Sequence, residues 1–186
     1  MSPAPPRPAP LVDLAAHDGK AERVAGGIVP LGPTGHRPNL VAFRIARGLD
    51  DHARATGRGV VSTATMGFAA PELPSGRESF SPDAAYHDGP LPDDDMEFVP
   101  GPPTFAVEVR SEGDYGSAAE ATLAAKRADY FRASTLAVWD VDPHAATIRS
   151  YCAAAPDHPA RFARGHVADA EPAVPGWRMA VDDAFA

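Results

Sequence analysis

The chain has 186 residues, 44% of them hydrophobic, and a formal net charge of −8, which suits one domain around a single core. Its one cysteine, Cys152, excludes an internal disulfide, no apolar run reaches the roughly 20 residues that span a bilayer, and no basic leader precedes an apolar segment, so cytoplasmic residence is expected. A pI near 5.3 argues against a protein that coats nucleic acid through phosphate contacts alone.

Residues 1–10 alternate proline with small residues and form an extended lead; residues 11–186 form the single domain. Over 11–20 a short helix precedes a hairpin, in which Gly26-Gly27 makes the turn and Pro30 ends the second strand. Glu22, in that hairpin, reads on its own as a solvated carboxylate. Leu40, Val41, Ile45 and Leu49 recur at helical spacing over 37–56, and Gly57 marks the helix end. The other face carries Arg44, Arg47, Asp51 and Arg54, ordinarily a solvated face. His36, just before the helix, is either a structural hydrogen-bonding residue or a substrate contact.

Residues 59–69 read as a strand with Gly67 as a bulge, 71–78 as a loop, and 80–86 as a core strand with Asp83 near its start. Asp93-Asp94-Asp95 lies among five prolines over 89–103, a solvated loop without the glycine and ligand spacing of an EF-hand. Residues 104–110 form a buried strand, and alternation puts Phe105, Val107 and Val109 on one face and Ala106, Glu108 and Arg110 on the other. An ionised Glu108 there costs several kcal/mol unless a cation, metal or hydrogen bonds compensate.

A helix over 117–133 follows, with Leu123 and Tyr130 on its apolar face and Lys126 at the margin of that face, where it either snorkels to water or reaches a carboxylate. It crosses back to a strand over 136–141 that runs parallel to the Glu108 strand. Asp142-Pro143-His144 turns into an antiparallel strand over 147–151, and Asp140 and Asp142 read as edge and turn carboxylates. Residues 156–172 read as irregular, with a short strand near Phe162, and 175–185 close the fold.

Pro82-Asp83, then Val107-Glu108-Val109-Arg110-Ser111, then Lys126 on a helix, then Val138-Trp139-Asp140-Val141-Asp142-Pro143, resembles the Uma-two family of restriction-endonuclease-like proteins in the PD-(D/E)XK nuclease superfamily. The hairpin around Gly26-Gly27, the run Gly32-Pro33-Thr34-Gly35-His36 and the ending Pro175-Gly176-Trp177-Arg178 look like the family's opening hairpin, first-helix loop and closing strand. Each motif is short; their order along the chain carries the match.

The resemblance implies an α/β (α+β) restriction-endonuclease-like fold, with a central mixed sheet flanked by helices. It implies metal-dependent hydrolysis of nucleic-acid phosphodiester bonds, with DNA the expected substrate. Asp83 and Glu108 would hold Mg²⁺ or Mn²⁺, hard cations that take oxygen ligands, and Asp83, Glu108 and Lys126 would be catalytic. The family pattern has lysine two residues after the second acid, where this chain has Arg110, which stays charged and cannot act as a base. Lys126 stands where the superfamily places a migrated lysine. Arg110 becomes a substrate-phosphate contact or a structural cation, His36 a substrate contact and Glu22 a neighbour of the metal site, and a homodimer would suit a duplex cut on both strands. The competing reading is a nuclease fold with a degenerate site, kept as a binding or assembly module, which Arg110 and the acidic balance favour.

Overall fold

The computed structural model describes residues 9–71 and 73–186. Most of the lead placed over 1–10 therefore lies outside the described residues, and helix α1 (Ala9–Ala15) takes over at its end. Strands β1 (Ala21–Val24) and β2 (Gly27–Pro30) form the opening hairpin. Its turn is Ala25-Gly26, both at positive φ (51° and 74°), the conformation a two-residue hairpin turn requires.

Helix α2 (His36–Thr56) buries Val41, Ile45, Leu49 and Ala53 along one stripe. It ends at Gly57, which is left-handed at φ 66° and donates its N–H to the Ala53 carbonyl, the glycine stop expected of a helix terminus. The strand expected over 59–69 is two strands, β3 (Val60–Thr63) and β4 (Phe68–Ala69). Gly67 lies between them and is not a bulge: a Cβ there would meet the Phe98 ring at 2.1 Å, so the absence of a side chain permits that close approach.

The strand expected over 80–86 also divides, into β5 (Ser79–Phe80) and β6 (Ala84–His87), which belong to different sheets. Pro82 has no N–H to give a ladder, and the chain leaves one sheet for the other across Ser81-Pro82-Asp83. Strand β7 (Val99–Pro100) completes a three-stranded sheet in the order β5-β4-β7.

Strand β8 (Phe105–Val109), helix α3 (Ser117–Arg132) and strand β9 (Ala137–Asp142) form the expected unit: β8 and β9 are parallel, with Glu108 opposite Asp140. Strand β10 (Thr147–Cys152) follows antiparallel to β9. The stretch expected to be irregular instead starts with a nine-residue strand, β11 (Ala155–Ala163), paired with β10 at the sheet edge. Its prolines disguised it, and an edge position is where a strand tolerates missing donors. Strands β12 (Val167–Asp169) and β13 (Arg178–Ala180) and helix α4 (Val181–Ala184) close the chain.

The main sheet runs β11-β10-β9-β8-β6-β3, mixed because only the β8–β9 pair is parallel. On one side Phe105, Val107, Trp139, Val141 and Ile148 pack with α2 and with Trp177. On the other, Ala106 and Val138 pack with Tyr130, Phe80 and Phe68. No helix among the described residues is long and apolar enough to cross a membrane.

Asp142 is the expected turn residue: its Oδ1 accepts from the His144 and Ala145 N–H groups and from the Tyr115 hydroxyl. Burial raises its pKa, but these donors outweigh burial and hold it below the ordinary aspartate value. A depressed pKa gives stability that is present above about pH 4 and lost as pH falls through the folded value. Asp142→Asn should therefore lower Tm at neutral pH and match the wild type in acid. Melting curves across acid pH check this; a deficit that persisted unchanged into acid would count against it.

Candidate active site

Asp83 and Glu108 converge because β6 and β8 are antiparallel neighbours. The register Ala84↔Val107 continues by one residue to place Asp83, ahead of β6, opposite Glu108 near the end of β8. The Asp83 N–H donates to the Val107 carbonyl at 3.0 Å, and the Val109 N–H returns a bond to Asp83 Oδ2 at 2.9 Å. The carboxylate is thus fixed by the backbone of its partner strand. Its Oδ1 takes the Lys20 ammonium at 2.8 Å.

Lys126 resolves its two options in favour of the carboxylates. Its Nζ lies 2.9 Å from Glu108 Oε1 and 2.9 Å from Glu22 Oε1. Four residues on, and so on the same helix face, Tyr130 donates its hydroxyl to Glu108 Oε1 at 2.6 Å. Burial pushes the Glu108 pKa up; Lys126 opposes this, while Asp83 and Glu22 add to it, and the net shift is upward. Burial disfavours the Lys126 charge, but Glu108 and Glu22 outweigh it and hold the ammonium above the ordinary lysine value. The two carboxylates thus favour the charged form of Lys126.

Glu22 is not the solvated hairpin carboxylate read from sequence: it is 3% exposed. It accepts from Arg77 at 2.5 Å and from the Ser81 N–H at 2.9 Å as well as facing Lys126. Burial raises its pKa, yet Lys126 and Arg77 outweigh burial and keep it below the ordinary value. Arg77 also reaches Asp129 on α3 at 3.1 Å, tying the hairpin, the loop before β5 and α3 together. Sequence reasoning missed Arg77, which looked like one more loop cation, and Lys20, which carries no local signal. Tyr130 could have been found from its spacing to Lys126.

Arg110 lies among different partners from Glu108. Its Nε and Nη2 form a fork on Asp140, both at 2.7 Å, its Nη1 and Nη2 reach Glu120, and Nη1 meets the Asp114 carbonyl at 3.5 Å. All five guanidinium donors thus have acceptors within the chain, and the side chain is 2% exposed. Of the two roles read for Arg110, substrate contact and structural cation, these partners favour the structural one. Asp140, read as an edge carboxylate, is 3% exposed in a central strand, because the β10 and β11 pairing lies beyond β9. His36 is exposed at the start of α2. It lines a cavity of about 290 Å³ with Arg37, Tyr115 and His144, beside the site and not in it.

Lys20, Glu22, Asp83, Glu108 and Lys126 line one cavity of about 310 Å³. Among the described residues no three Asp, Glu, His or Cys side chains stand as a ready ligand shell; Lys20, Lys126, Arg77 and Arg110, which line the same cavity, supply the positive charge. The donor set still suits a hard cation: it is all carboxylate oxygen, and the upward push of Asp83 and Glu22 on Glu108 is a repulsion that a divalent ion relieves.

A mixed sheet with paired carboxylates at adjoining strand ends and a lysine from the crossover helix defines a restriction-endonuclease-like protein. A solved structure, described as a "putative nuclease belonging to DUF820" from Anabaena variabilis ATCC 29413, superposes with a TM-score of 0.73 over 96% of this chain and 98% of that one, at 13% identity. That likeness shows the fold. The Uma2 family model, described as "Putative restriction endonuclease", matches residues 9–182; the chain belongs to this family. The search of curated proteins returns no match.

Proposed function

We propose that this chain is a metal-dependent endonuclease that hydrolyses phosphodiester bonds of nucleic acid, with DNA as the substrate. The observation that carries the reading is the convergence of Asp83, Glu108 and Lys126 on one cavity, with the Lys126 ammonium nitrogen 2.9 Å from Glu108. Asp83 and Glu108 are the residues that would hold Mg²⁺ or Mn²⁺. When bound, such an ion polarises a phosphoryl oxygen and acidifies water.

The chain's own groups do the rest. Lys126 presents a fixed positive charge to the negative charge that develops at phosphorus, in a site where little solvent reorganisation is needed. Glu22 keeps that ammonium charged and aimed. The Val109 N–H and the Tyr130 hydroxyl orient Asp83 and Glu108, so the carboxylates are set before substrate arrives. Membership of a nuclease family supports a nucleic-acid substrate, and a twofold dimer would serve a duplex cut on both strands.

Calorimetric titration with Mg²⁺ or Mn²⁺ tests the site without knowledge of the substrate. Wild-type protein should bind, and Asp83→Ala and Glu108→Ala should each weaken binding strongly. Equal binding by all three proteins would sink the metal assignment.

A further inference from the structure

The register of the main sheet extends the candidate site sideways. Glu108 stands opposite Asp140, Asp140 opposite Arg149, and Arg149 opposite Arg161. One row therefore crosses β8, β9, β10 and β11 on the α3 side of the sheet, and its charge changes sign midway. With strands about 4.8 Å apart, Arg161 is based roughly 14 Å from Glu108, about four 3.4 Å steps along one strand of a duplex.

The positive half of the row is in surplus. The Arg110 fork already neutralises Asp140, yet Arg127 also approaches Asp140 at 3.3 Å and Arg149 at 3.8 Å. Asp140, Glu120 and Asp142 stand against Arg110, Arg127, Arg149 and Arg161, which leaves one positive charge in a chain whose net charge is −8. Arg127 is stacked 4.2 Å above the Tyr151 ring, which fixes it at the flank of the row. Arg149 keeps a third of its side chain exposed. Arg161 is exposed on a mostly exposed edge strand, and its side chain has no hydrogen bond or ion pair with another described residue.

Building on the nuclease reading above, we propose that Arg149 and Arg161, flanked by Arg127, form a phosphate track that carries the nucleic-acid backbone from the candidate site across β10 to the edge of the sheet. Charge complementarity selects the occupant: a local cationic row in an acidic protein, starting at carboxylates suited to phosphodiester chemistry, fits a polyanionic strand.

The test is binding without cleavage. Anisotropy of a fluorescein-labelled DNA duplex, and of the corresponding single strand, is measured in EDTA over a series of salt concentrations. The proteins are wild type, Arg149→Gln, Arg161→Gln, the double variant, and Arg54→Gln as an exposed control on the outer face of α2. Each lost phosphate contact should lower the slope of log K against log salt by about 0.9 on duplex or about 0.7 on single strand. The double variant should lose about twice that, and the control nothing. Arg161→Gln keeps the test valid if Arg149→Gln disturbs the sheet, because Arg161 supports no other described side chain. An unchanged slope in Arg161→Gln and the double variant, with wild type still binding, overturns the track and leaves the nuclease reading standing. The same loss in Arg54→Gln overturns it too, as a general charge effect. No binding by wild-type protein overturns the track, while cleavage with Mg²⁺ or Mn²⁺ decides the nuclease reading separately.

Discussion

Lys126→Ala should reduce metal-dependent cleavage by on the order of 10²-fold or more, the size of effect seen when one preorganised donor to a developing charge is removed. The ammonium sits 2.9 Å from both Glu22 and Glu108, so its loss also leaves two carboxylates facing each other across the place it occupied. Asp83→Ala and Glu108→Ala should be at least as damaging, because they remove the ligands themselves. Rates on a panel of DNA and RNA substrates, normalised to the folded fraction seen by circular dichroism, measure this. Undiminished cleavage by Lys126→Ala would remove it from the catalytic set. If the intact protein cleaves nothing with Mg²⁺ or Mn²⁺, the binding-module reading takes over.

Arg110→Ala should give the opposite pattern, a large loss of stability with cleavage per folded molecule retained. Removing one partner of a buried ion pair costs about 3–5 kcal/mol, because the other charge is left without compensation. Here Arg127 remains 3.3 Å from Asp140, which favours the lower end. At about 2–4 °C per kcal/mol for a domain of this size, Tm should fall by roughly 6–12 °C. Calorimetry of the two proteins decides it. A fall of less than about 2 °C, or cleavage lost together with full stability, would return Arg110 to the substrate side of the site.

Arg110 and Lys126 differ in a way that the sequence leaves open. In sequence, Arg110 is the nearer cation to Glu108 and lies on the same face of an ideal strand. In space it passes the end of β8 and meets Asp140 on β9 and Glu120 on α3, while Lys126 returns from the crossover helix to Glu108. Two cations thus serve two acids that are cross-strand neighbours, and strand alternation alone cannot sort them.

By itself the sequence determined the elements whose periodicity is strong and the residues whose placement is costly. Val41, Ile45 and Leu49 before Gly57 specify α2, and the apolar runs around Glu108 and Trp139 specify the two central strands. The charge of Glu108 in such a run required a partner, which made the site legible before its geometry. Tertiary structure alone decided what depends on contacts distant in the chain. The antiparallel pairing that sets Asp83 opposite Glu108, the burial of Glu22 by Arg77 fifty-five residues away, and the closure of Asp140 beneath β10 and β11 all arise between segments with no local pattern in common. Burial and pairing are properties of the assembled sheet, and a hairpin glutamate or an alternating aspartate has the same local sequence whether water or an arginine finally faces it.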